Sequence, residues 1–461
     1  MSLSREFTRP QWQTLLVIWT TYGSFYLCRV NVGPVRTAIE KDLAIGAVEM
    51  GVVLASLKIG YAIGELVNGQ LAERFGPKRV LLFGMFGSLA ANILFAFAAS
   101  FVAFPGVAAA LPSVARFLEH FTPSGSTVAP IAALLAFLAF LNGYFQAAGW
   151  PPTVKVMSNW FTAHQRGRMM GVLGTSYQLG SAITIFGAGL LASAFGTWRA
   201  AFLVPAAIFF FSTVNTMLRL REKPENKEEA DVPQANAVRL TVGESLRLTL
   251  GNPRIWVLAF GLFGLDVVRY GFLDWAPGHL QKAHASGLSA AALKTSVLPL
   301  AGAAGALVSG WITDRFFQSR RAPTITVLLL GVGVLTLVYN TVVAWGTLPT
   351  VLCLGAIGFC LYGAQILIVG TAAQDFARGG AIAGAAGFID FMGYVGAFCG
   401  DIVTGWLLKT QSFGVAIKFW AGAAFIAAVF VATLWRARPR EDEAPPKKDE
   451  APPDDDAPKA P

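Results

Sequence analysis

Charge is what this sequence has least of. Only 14% of its 461 residues are Asp, Glu, Lys or Arg, roughly half the share found in an ordinary soluble domain. Too few water-facing side chains remain to cover a soluble fold, which rules out most of that class. Cysteine is scarce too. Cys28, Cys353, Cys360 and Cys399 all lie inside apolar stretches, with no His or Cys at ligand spacing, so neither a disulfide framework nor a zinc site is expected. The four histidines, His120, His164, His279 and His284, fall in or beside loops and read as solvated. No small-residue cleavage site follows the first apolar run, and Arg29, Asn31 and Pro34 interrupt its far end. It reads as a retained helix rather than a signal peptide.

What is abundant is apolar surface: 54% of residues are hydrophobic, with 48 glycines among the rest. A membrane-spanning helix takes about 20 such residues. Apolar runs bounded by charge, Gly and Pro place spans near 12–35, 49–74, 79–100, 128–152, 167–194, 198–219, 255–280, 292–314, 324–345, 349–374, 381–408 and 413–436. The expectation is an all-α integral membrane protein with twelve transmembrane helices in two pseudo-symmetric six-helix bundles. The net charge of +9 fits topology better than nucleic-acid binding, because the bases sit in short clusters between apolar runs. Arg5, Arg9, Arg74, Lys78, Arg79, Arg166, Arg168, Arg315, Arg320, Arg321 and Arg378 share one face with the tail, which the positive-inside rule makes cytoplasmic.

The expected organisation is a cytoplasmic N-terminus at 1–11, a first bundle at 12–219, a cytoplasmic linker at 220–253, a second bundle at 254–437 and a disordered cytoplasmic tail at 438–461. Residues 101–127 form an external loop with one short helix around Leu111 to His120. An internal repeat supports the division. Arg29 recurs as Arg269, and Gly69, Glu73 and Arg74 recur as Gly310, Asp314 and Arg315, at nearly one offset.

Arg29 and Arg269 carry the strongest functional signal. A guanidinium keeps its proton, and holding one at bilayer depth costs at least about 2.5 kcal/mol. Two forks converging from the first helix of each half suit a phosphate or carboxylate; a pair of structural salt bridges is the alternative. Lys58 and Glu65 lie seven apart on one helix face, so Lys58 is either a third cationic contact or the partner of Glu65. Asp266, Asp274, Asp390 and Asp401 are further mid-span acids, with Asp266 three residues before Arg269 and able to pair with it. Glu65, Asp266 and Asp390 are either proton carriers or charge balance for the arginines. The loop Gly69, Glu73, Arg74, Gly76, Lys78, Arg79, with Asp314 and Arg315 in the second half, reads as a gating latch between moving bundles. Trp150, Pro151 and Pro152 break the fourth span.

The order of Gly, acid, Arg, Gly and paired bases from Gly69 to Arg79 resembles the signature loop of the major facilitator superfamily. Tyr26 to Asn31, Gly143 to Pro152, Arg269 to Pro277, Tyr362–Gly363 and Gly387 to Gly396 are similar to motifs of its organophosphate:phosphate antiporters, which include the glycerol-3-phosphate and hexose-phosphate transporters. The resemblance implies the major facilitator fold. It also implies that Arg29 and Arg269 hold the phosphate of a substrate, with Tyr22 and Tyr26 nearby. Departures at Val30, Glu65, Tyr177 and Asp266 make the expected cavity less positive than in that family. The functional expectation is a monomeric secondary transporter in the plasma (inner) membrane, moving a small organic anion by alternating access, in exchange for inorganic phosphate. It is not expected to be an enzyme or to need a cofactor. A proton-coupled organic-anion symporter and an organophosphate sensor are the competing readings.

Overall fold

Proline, glycine and buried amides decide where this apolar chain bends. The computed structural model describes residues 7–122, 126–161, 163–225, 242–317, 320–377 and 382–437, and every regular element among them is helical. The first half comprises α1 (Arg9–Phe25), α2 (Val32–Leu43), α3 (Ala47–Phe75), α4 (Pro77–Ala96), α5 (Ala98–Phe101), α6 (Pro105–Glu119), α7 (Pro130–Gln146), α8 (Trp150–Trp160), α9 (Ala163–Phe195) and α10 (Ala200–Arg219). The second comprises α11 (Val242–Leu250), α12 (Pro253–Tyr270), α13 (Ala276–Ala283), α14 (Leu288–Phe317), α15 (Arg321–Ala344), α16 (Thr347–Ile366), α17 (Ala373–Phe376), α18 (Ile382–Thr410) and α19 (Phe413–Ala432). Eleven helical segments among the described residues are long and apolar enough to cross a bilayer. The twelfth crossing is the first, where α1 has only 17 residues and is carried on by a 3-10 turn and α2.

Here the structure departs from the continuous first and seventh spans expected from hydropathy. The 3-10 turn Tyr26–Cys28 interrupts the first, and a π-helical turn, Gly271–Trp275, interrupts the seventh before Pro277 restarts it as α13. Backbone groups freed inside a bilayer need partners from neighbouring helices. At the first break Asn92 and Asn142 both donate to the Cys28 carbonyl, at 3.1 and 2.7 Å, and Gln146 donates to that of Phe25 at 3.0 Å. Loops were also under-read: α6 fills fifteen residues of the external loop, and α11 occupies the end of the linker. The expected helix break at Trp150 is present between α7 and α8. Linker residues 226–241 and the tail 438–461 lie outside the described residues.

The two halves meet along two long seams, α3 against α18 and α9 against α14. Call the side on which α1 begins the terminal side and the other the far side. On the far side the backbones touch: a Cβ at Gly51 would lie 2.7 Å from the Asp401 carbonyl oxygen and 3.3 Å from Gly405, so only glycine allows this approach. Beside it, α2 packs on the π turn and α13, with Thr37 donating to Gln281 at 2.8 Å. Arg36 is buried on α2, paired with Glu40 and stacked 4.6 Å over Trp275.

Candidate functional site

The two breaks put one arginine from each half at the same depth. Arg29 follows the 3-10 turn directly, and Arg269 is the penultimate residue of α12, two before the π turn begins. Both are buried, at 5% and 4% exposure. Arg29 donates through Nε to Gln146 Oε1 at 3.0 Å, and its guanidinium lies 4.4 and 4.6 Å over the rings of Tyr26 and Tyr61. Gln146 is itself fixed, since its amide donates to Ser88 at 2.7 Å and Ser88 donates to Asn142 at 2.6 Å. Arg29 has no carboxylate within 4.0 Å among the described residues. Arg269 touches Asp266 only at 3.5 Å, lies 5.0 and 5.3 Å from the rings of Tyr270 and Tyr362, and its Nε is buried without a partner. Its nearest acid is therefore too far for a strong charge-assisted bond.

Tyrosine lines this region: seven of the nine in the chain gather here. Tyr61 and Tyr394 stack across the seam at 4.1 Å, and Tyr394 lies 5.9 Å from Tyr270. A row of three rings thus runs from Arg29 to Arg269. Tyr22 and Tyr26 stand with Tyr177 on the other flank, at ring separations of 5.8 to 6.5 Å. In the sequence, Tyr177, Tyr270, Tyr362 and Tyr394 fell among family-like motifs or departures without being assigned to the site, and Tyr61 was passed over, because aromatic residues in a membrane chain serve many roles. Gln146, Asn142, Asn92 and Ser88 were missed likewise; a polar amide repeating at helical spacing in an apolar run was the available signal.

Lys58 is not paired with Glu65. It donates to Asp274 Oδ2 at 2.6 Å and lies 2.8 Å from Asp401 Oδ2, both from the other half. Trp275 donates to the second Asp401 oxygen at 2.9 Å, and the Tyr270 ring lies 4.8 Å from the ammonium. Glu65 lies one helical turn beyond the ring stack and interacts electrostatically with Asp390 across the seam and with Arg29. Asp390 in turn feels Asp266 and both arginines. His279 is not solvated as expected: it stacks on Phe413 at 3.8 Å.

In the signature loop, Gly76 has φ +89° and turns α3 into α4, a conformation that favours glycine. The backbone N–H of Lys78 donates to Glu222 at 2.9 Å, while Arg74, Arg79 and Arg315 are exposed. Gly69, Glu73 and Asp314 fall outside the residues whose side chains are described.

The glycerol-3-phosphate transporter of Bacillus subtilis is 29% identical over 95% of this chain and 96% of its own. A probable hexose phosphate transport protein of Chlamydia muridarum is 26% identical over 90% and 89%, and the membrane sensor protein UhpC of Escherichia coli 26% over 91% and 88%. Among solved structures, the xylose transporter XylE from E. coli superposes with a TM-score of 0.67 at 14% identity, covering 93% of this chain and 99% of that one. A bacterial homolog of the human lysosomal transporter Spinster gives 0.66 at 13%, covering 93% and 96%. The model of the Major Facilitator Superfamily matches residues 18–400. With two helical halves, a broken first helix in each and a buried arginine at each break, this multi-pass membrane chain belongs to the major facilitator superfamily.

Proposed function

We propose that the chain is a secondary transporter that moves a small organic anion, phosphorylated, by alternating access, in exchange for inorganic phosphate. One observation carries this reading: two buried guanidiniums come one from each half, Arg269 keeps Nε without a partner, and neither has a carboxylate closer than 3.5 Å among the described residues. Such groups at bilayer depth are stabilised by an anionic guest. The similarity to glycerol-3-phosphate and hexose phosphate transporters supports phosphate as the guest's head group. Arg29 and Arg269 grip that group as forks, Tyr26 and Tyr22 shape the space beside them, and binding draws the halves together. The terminal side, which carries the bases of the signature loop, faces the cytoplasm, and the protein sits in the plasma (inner) membrane as a monomer.

The test is exchange of labelled inorganic phosphate into phosphate-loaded proteoliposomes. Arg29→Lys and Arg269→Lys should each abolish exchange, because lysine keeps the charge but loses the planar fork. Exchange that survives both changes would overturn the reading. A second reading, sensing, is favoured by the similarity to UhpC; ligand binding without any flux would select it.

A further inference from the structure

The mid-span charges do not match a purely anionic cargo. Arg29, Arg269 and Lys58 face five carboxylates: Glu65, Asp266, Asp274, Asp390 and Asp401. Lys58 is consumed by Asp274 and Asp401. That leaves three acids beside the two arginines. Neither Glu65 nor Asp390 makes an ion pair within 4.0 Å among the described residues, although Arg29 and Arg269 lie within electrostatic reach. One oxygen of Glu65 and one of Asp266 are buried without any hydrogen-bond partner. The Asp266 oxygen, on a side chain only 1% exposed, points to α18 at Gly393, next to Tyr394. Each such oxygen is an open hydrogen-bonding position.

The aromatic flank points the same way. Tyr22, Tyr177 and Tyr394 contact other rings but carry no cation among the described residues. Ring faces beside carboxyls that lack an ion pair are the surroundings in which an organic ammonium is held.

Resting on the anion clamp proposed above, we infer that the cargo is a zwitterion: a phosphate ester that also bears an ammonium group. The phosphate occupies Arg29 and Arg269, and the ammonium enters between Glu65 and Asp390 against the Tyr61–Tyr394 stack. Such a guest brings a hydrogen-bond donor to buried acid oxygens that lack one, whereas a simple phosphate ester brings none.

The test measures thermal stabilisation of the purified full-length protein by inorganic phosphate, glycerol 3-phosphate, O-phosphoethanolamine and phosphocholine. At least one amine-bearing ester should bind at least about tenfold more tightly than glycerol 3-phosphate, the worth of a charge-assisted contact. Glu65→Gln and Asp390→Asn should each collapse that ratio to about one. Phosphate binding with no preference among the esters would overturn the inference and leave the clamp standing, as would a preference that survives both substitutions. If the two substitutions instead shift the pH dependence of phosphate binding, with no amine preference in the parent, the pair is a proton site and the inference fails. No protection by phosphate at all would remove the clamp itself, and the inference with it.

Discussion

Gln146 does more for the site than its neutral side chain suggests. It accepts from Arg29 and donates to the Phe25 carbonyl and to Ser88, so it orients the guanidinium and closes the backbone gap together. Gln146→Ala should weaken phosphate half-saturation by roughly ten- to a hundredfold, the worth of a hydrogen bond to a charged group. A parent-like half-saturation would show that Arg29 is placed by its tyrosines alone. At Lys58, replacement by Met leaves Asp274 and Asp401 buried without a base, at a cost of about 3–5 kcal/mol. The thermal unfolding midpoint should fall, and adding Asp274→Asn and Asp401→Asn should recover part of it. The arginines were legible in the sequence because a charge in an apolar run is costly wherever it sits. The partners of Lys58 were not. Spacing along one helix exposed Glu65, whereas Asp274 lies 216 residues away and meets Lys58 only through the packing of the two halves.

Among the elements, the sequence marked the break at Trp150 but not the turns in the first and seventh spans, because Tyr26–Cys28, and Gly271–Trp275 apart from Asp274, are as apolar as their surroundings. What distinguishes the first is the amide cluster on α4 and α7 that takes up its freed carbonyls, and that lies in other segments of the chain. Of the short helices, α6 was expected only over its second half and α11 not at all, since each lacks the length of apolar run that marks a span. The α3–α18 seam gives a prediction of its own. Gly51→Val places its branched side chain where a Cβ already lies within 2.7 Å of the Asp401 carbonyl oxygen. The far side should be wedged open, so that a cysteine placed at Thr37 reacts more readily with a membrane-impermeant maleimide, while phosphate exchange slows. Unchanged labelling would mean that α18 yields to the extra methyls.

For the whole molecule, the positive clusters and the even number of crossings make one checkable statement. In a variant lacking the four native cysteines, single cysteines at Thr8 and Glu222 should react from one side of the membrane and one at Thr122 from the other; reaction of all three from one face would contradict the twelve-crossing reading. The seam between the halves also has a mechanical consequence. Tyr61 and Tyr394 stack at its centre, Lys58 lies three residues away on α3, and Gly51 lies ten residues away. At 1.5 Å of rise per residue those arms are about 4.5 and 15 Å. A rock of about 10° around the ring stack displaces Gly51 by about 2.6 Å but Lys58 by only about 0.8 Å. Lys58 thus sits near the axle, Asp401 between it and the rim, and the glycines at the rim, so parting of the halves on the far side opens the glycine contact more than it stretches the ion pairs.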